Sequence, residues 1–121
     1  MPLLRPLDVI VIYDDCIRPP GPKMVVCIEP DLGMFFRINT KDRWQVSVKL
    51  ALEDHPFLDH DSYLECGDPL ELDDYVIEEA LRRRPVIGTL SRMLIASILV
   101  AIESARTLSA RDKAAIRTAL S

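Results

Sequence analysis

The 121-residue chain is poor in the features that mark several function classes. It has three cysteines, Cys16, Cys27 and Cys66, and no C-x-x-C pair, so neither a zinc knuckle nor a dithiol redox site is indicated. An odd set of unpaired thiols fits a reducing compartment, and a cytoplasmic location is expected. The four glycines are scattered at positions 21, 33, 67 and 88, which leaves no phosphate-cradling loop and no dinucleotide fingerprint. There is no G-x-S-x-G elbow. The two histidines, His55 and His60, lie outside any activating motif and read as surface loop residues. No apolar leader with a cleavage-site pattern opens the chain. The longest uncharged apolar run, Met93 to Ile102, falls well short of the roughly 20 residues that span a bilayer, so no membrane segment is expected. Fifteen Lys and Arg against 19 Asp and Glu give a net charge of −4, so no global basic surface advertises nucleic-acid binding.

What is present suits a folded domain. With 49% hydrophobic and 28% charged residues, the chain excludes a disordered tail, a collagen-like repeat and a disulfide scaffold. Its length fits a single domain over 1–121 with one core. The first half reads as strands. Val9-Ile10-Val11-Ile12-Tyr13 is a continuous run suited to burial on both faces. Pro19-Pro20-Gly21-Pro22 follows as a stiff loop. Further strands are expected at Met24–Ile28, Met34–Ile38, Val46–Leu50 and Ser62–Cys66, the third introduced by a turn at Pro30–Gly33.

The second half reads as helices over about 73–84, 91–106 and 109–120. In the first, Asp73-Asp74 at the start and Arg82-Arg83-Arg84 at the end both complement the helix dipole. The second, opened by Ser91, is apolar on most of its circumference and so needs cover on most sides. Ser109-x-x-Asp112 looks like a capping box for the third, with Ile116 and Leu120 facing inward. Strands followed by helices describe an α+β fold, with the strand-rich part over about 5–72. Charge is uneven along this order. Residues 1–60 sum to −2, 61–84 to −5 and 85–121 to +3. The acidic stretch reads as a solvated face, so an anion site would have to come from a few placed bases.

Four clusters are candidates for chemistry. Asp59-His60-Asp61 has metal-ligand residue types, but adjacent strand residues point to opposite faces, and a solvated loop is the preferred reading. No metal or other cofactor is expected. Arg82-Arg83-Arg84 already has a structural reason at a helix C-terminus. Trp44 beside Arg43 suits either a base-stacking platform or a cover for one end of a barrel. Arg18 and Lys23 bracket the Pro-Gly loop, and Arg37-Ile38-Asn39-Thr40-Lys41 ends the third strand. Such a rigid loop with a cation at its rim, beside amide and hydroxyl donors, would hold a phosphodiester; the alternative is a hairpin with surface bases.

At these residues the chain resembles the PemK/MazF-like growth-inhibitor toxins. Arg5-Pro-Leu-Asp8-Val-Ile-Val-Ile stands where that family has its opening strand. Pro20-Gly21-Pro22-Lys23-Met24-Val25-Val26 is similar to its "G-x-R-P-x-L-V-I" segment, and Ile38-Asn39-Thr40 to its third-strand end. His60-Asp61-Ser62-Tyr63-Leu64-Glu65-Cys66 aligns with "R-D-S-x-x-x-x-E-Q" at the Asp-Ser pair, and Ile87-Gly88-Thr89-Leu90-Ser91 with "I-G-x-L-S" before the long helix. The resemblance implies a small SH3-like β-barrel followed by C-terminal helices. It further implies a homodimeric, metal-independent endoribonuclease acting on single-stranded RNA and silenced by an antitoxin protein. Lys23 then stands at the family's catalytic Arg and Thr40 at its Thr or Ser, with Asn39 one residue away. Arg18, Arg37, Asn39 and Lys41 would support RNA binding. The replacement of Arg by Lys23 loses the planar bidentate fork. Glu65-Cys66-Gly67-Asp68 lacks the base of the family's "E-Q-x-R". These departures sustain an alternative: a catalytically inactive binding module on the same fold that engages a protein partner.

Overall fold

The three longest strands pair as consecutive antiparallel neighbours. β1 (Asp8–Asp14) lies beside β2 (Gly21–Glu29), and β2 beside β3 (Met34–Asn39). The computed structural model describes residues 4–15, 17–42 and 46–121; Cys16, Arg43 and Trp44 lie outside them, and with them the two roles considered for Trp44. β4 (Ser47–Leu50) and β5 (Ser62–Glu65) form a further antiparallel pair. Two short strands, β6 (Leu70–Glu71) and β7 (Gly88–Thr89), complete a seven-stranded sheet: six strands run in the order β4-β5-β3-β2-β1-β7, and β6 lies off that path beside β3.

A strand has two edges, and β2 takes one edge of β3. The other edge is therefore shared: β6 pairs with Met34 and Phe35, and β5 pairs with Ile38 and Asn39. The chain moves from one partner to the next through Cys66–Pro69, and the sheet curls there. A register shift between Cys27 and Glu29 adds a bulge on β2.

Helices cover both faces of this sheet. On one, Val9, Val26, Phe36, Ile38 and Leu64 pack against Ile98 and Ile102 of α2 (Ile95–Ser104) and Ile116 of α3 (Ala110–Ala119). On the other, Ile10, Ile12, Val25, Cys27 and Phe35 pack against Ile77 and Ala80 of α1 (Asp74–Arg83). Two-sided burial is why β1 is an unbroken apolar run rather than an alternating one. The molecule is thus α+β, a curled antiparallel sheet with C-terminal helices. Among the described residues no helix is long and apolar enough to cross a membrane.

Helix starts follow their side chains. Ser109 Oγ accepts from Asp112 N at 3.0 Å and caps α3. Ser91 Oγ accepts from Met93 N at 3.3 Å and caps a 3-10 turn, Arg92–Leu94, that leads into α2. Docking of α3 buries Ile116 and Leu120 against the same core as Ile98 and Ile102, so α3 supplies part of the cover that α2 needs. Met93 and Val100 remain exposed at 90% and 72%.

Gly33 ends the turn before β3 with φ +63, and a Cβ there would sit 2.3 Å from the carbonyl oxygen of Leu72. Both the backbone and the close approach require glycine. Gly33→Ala is expected to lower stability by at least about 1–3 kcal/mol. Gly21→Ala, whose Cβ would meet nothing within 4 Å, is expected to stay within about 0.5 kcal/mol of the parent. Urea unfolding midpoints of the two variants check this.

Candidate functional site

Directly opposed residues of an antiparallel pair share a face, and the face alternates along each strand. Ile12 is opposed to Lys23, Val25 to Arg37, and Asn39 to Tyr63. The face that α1 covers at Ile10, Val25, Cys27 and Phe35 therefore continues, at its uncovered end, through Asp14, Lys23, Arg37, Asn39 and Glu65. One sheet face is apolar under the helix and polar beyond it.

The polar end is tightly connected. Lys23 Nζ donates to Asn39 Oδ1 at 2.7 Å, and Asn39 Nδ2 donates to Glu65 Oε2 at 3.1 Å. An ammonium only donates and a carboxylate only accepts, so the Asn39 amide has a single orientation between them. Beside this chain, Arg37 Nε lies 3.5 Å from Asp14 Oδ2 and Arg37 Nη1 lies 3.7 Å from Asp68 Oδ2. Asp14 and Glu65 are each only 6% exposed. Burial holds the Lys23 amine below its ordinary value; the Glu65 carboxylate opposes that, Arg37 adds to it, and Asp14 opposes it again. Lys23 is half-buried and commits one of its three N–H donors among the described residues, which leaves two uncommitted.

The residues singled out in the sequence divide. Lys23, Arg37 and Asn39 come together. Thr40, one position beyond β3, is exposed, and so are Arg18 and Lys41. The polar neighbour of Lys23 is thus Asn39. The candidates from the sequence do not include Asp14, Glu65 or Asp68: Glu65 falls in the acidic stretch 61–84 that reads as a solvated face, yet it is buried, and Asp14 is buried at the end of β1. The available signal was Glu65 closing a short strand in alternation with Tyr63.

The other clusters have local explanations. Asp59, His60 and Asp61 are exposed, and Asp61 Oδ1 accepts from Leu52 N at 2.9 Å, which holds its carboxyl below the usual range. Among the described residues no three His, Cys, Asp or Glu side chains are placed to hold a metal ion. Arg82 and Arg83 pair with Glu79 on their own helix. Cys27 and Cys66 are buried, and burial pushes both thiols up to about 12, which leaves them un-ionised and unreactive.

His55 differs from its reading as a surface residue. It is 1% exposed, and its ring packs edge-on against Phe57 at 5.8 Å. Its Nε2 accepts from Ser91 N at 3.2 Å, so Nδ1 carries the proton and donates to the Ala51 carbonyl at 2.8 Å. Both ring nitrogens are used to tie the segment after β4 to the one before α2. The bond from Ser91, 36 residues on, holds the ring inside.

Where the sheet curls, Glu65 also borders a cavity of about 400 Å³ reached by Val46, Asp68, Arg106 and Thr107. No family model matches the chain, and no curated protein or solved structure is similar enough to it to count as a relative.

Two titrations follow from the Lys23 environment. NMR of the Lys23 side chain is expected to give a midpoint below that of a solvated lysine, and Glu65→Gln is expected to lower it further by removing the opposing charge. The folded state binds this proton more weakly than the unfolded state, so stability rises with pH between the folded and unfolded midpoints. Lys23→Met is expected to flatten that segment of the stability–pH curve.

Proposed function

We propose that the chain is a divergent PemK/MazF-like barrel protein that cuts single-stranded RNA without a metal ion, with the Lys23–Asn39–Glu65 chain at its centre. The observation that carries this is the half-buried Lys23 amine, its proton loosened by burial and two of its donors uncommitted. In the reaction the ribose 2′-hydroxyl gives its proton to water as its oxygen attacks phosphorus, the bond to the 5′-oxygen breaks and that oxygen takes up a proton, and a 2′,3′-cyclic phosphate is left. Charge builds on the phosphate oxygens, and a fixed ammonium beside them lowers the barrier. An amine with a depressed pKa also gives up its proton more readily to the leaving oxygen. Asn39 positions Lys23, and Thr40 at the adjacent rim offers a hydroxyl to the flanking phosphate. Arg18, Arg37 and Lys41 supply further positive charge. The order of the motif-like segments from Arg5 to Ser91 supports the family and its SH3-like barrel. The exposed Met93, in the turn before α2, and Val100 on α2 support a homodimer, and an antitoxin protein would be the regulating partner.

A second reading has its own observation. Arg37 lies between the carboxylates of Asp14 and Asp68, and Lys23 is linked to that of Glu65, so three acids face two bases. Such a balance opposes a polyanion. It favours the catalytically inactive module that binds a protein partner.

Cleavage of a long single-stranded RNA in EDTA separates the two. Site-limited cuts are expected from the parent, slowed about 10²- to 10⁴-fold in Lys23→Ala, the range for removal of a general acid or base. Intact RNA with a correctly folded parent would leave the binding module, and a Lys23→Ala variant as fast as the parent would remove Lys23 from the mechanism.

A further inference from the structure

We propose that the cavity at the curl of the sheet is a guanine-selective base pocket, in which the Glu65 carboxylate accepts from the N1–H and N2–H donors of the base. As a substrate-recognition element this rests on the ribonuclease reading; as a binding site it stands on its own geometry. The volume, about 400 Å³, lies within the range of small-molecule sites. Val46 gives it an apolar wall for a ring to lie against.

The chemistry is set by Glu65. This side chain is more than nine-tenths buried, yet only Oε2 has a partner among the described residues, the Asn39 amide. Oε1 makes no hydrogen bond among those residues, and Glu65 is one of the residues that line the cavity. Lys23 holds Asn39 and Asn39 holds Glu65, so the carboxylate is oriented before a ligand arrives. Thr107 Oγ1 donates to the Gly67 carbonyl and does not compete for it.

An acceptor-only group of two oxygens selects a partner with two adjacent donors. Among RNA bases the Watson–Crick edge of guanine alone provides them. Adenine and cytosine set a ring acceptor beside the amino group, and uracil flanks its single N–H with carbonyls; each would turn a lone pair toward Oε1 or Oε2. A guanidinium would also match the carboxylate, but Arg106 lines the same cavity and would repel it, and Asp68, the other acid in the lining, is already paired with Arg37. The same Arg106 attracts the phosphate that accompanies a nucleotide. The observations therefore favour RNA over an arginine-bearing peptide.

The test is calorimetric or NMR titration of the full chain with 5′-GMP, 5′-IMP, 5′-AMP and N-acetyl-arginine amide. 5′-GMP is expected to bind at least about tenfold more tightly than 5′-IMP, which lacks the N2 amino group, and 5′-AMP is expected to bind more weakly still. Glu65→Gln, with its folding verified by thermal melt, is expected to remove the preference. A second variant avoids the polar chain. A Cβ at Gly67 would lie 3.3 Å from Thr107 Oγ1 and 3.5 Å from Val46 Cβ, so Gly67→Ala narrows the cavity and is expected to weaken 5′-GMP at least about tenfold. Equal binding of 5′-GMP and 5′-AMP, a preference that survives Glu65→Gln, or tighter binding of the arginine amide would overturn the proposal. Selective 5′-GMP binding by a chain that leaves RNA intact would uphold the pocket and remove the ribonuclease reading.

Discussion

Everything at the polar end of this molecule depends on the alternation of β3. Its even positions, Phe36 and Ile38, enter the core beneath α2 and α3, while Phe35 enters the core beneath α1. Arg37 and Asn39 share the face of Phe35 but lie beyond the helix that covers it. A slip of one residue in pairing would exchange these sets, placing a guanidinium and an amide in the larger core and Phe36 and Ile38 where the polar cluster now lies. Burial of Phe35, Phe36 and Ile38 therefore holds Arg37 and Asn39 in register with Lys23 and Glu65.

That arrangement solves an electrostatic problem. Two cations and three carboxylates stand at the end of a half-covered sheet, where water is partly excluded. Each charge is tolerated because another is close: Lys23 through Asn39 to Glu65, and Arg37 between Asp14 and Asp68. The Asn39 amide relays between opposite charges without itself titrating. Burial and the Glu65 carboxylate pull the Lys23 amine in opposite directions, and burial wins. The result is a rigid cluster, with its acidic end at the cavity and its basic side chain still able to donate.

Local signals read well. The β-branched run at Val9–Ile12 lies in β1, the segments at Met24–Ile28 and Met34–Ile38 lie in β2 and β3, and acids before bases bracket α1. Each depends on neighbours within one turn or one strand, and these are written side by side in the chain. β6 and β7, two residues each, left no such trace, because they exist only through pairing with β3 and β1. His55 is buried for the same kind of reason. Its partners are Ala51 nearby and Ser91, 36 residues on, and only the second explains why a loop histidine lies inside.

By itself the sequence determined the strands-then-helices order, the two-sided burial of β1, and the presence of Lys23, Arg37 and Asn39 at strand ends. These follow from side-chain period, turn residues and the helix dipole, all short-range in the chain. The tertiary structure alone decided that Asn39 rather than Thr40 meets Lys23, that a buried glutamate 26 residues further on completes the chain, and that a cavity opens beside it. Strand pairing brings distant residues within hydrogen-bond reach, and no local pattern records which residue will stand opposite which.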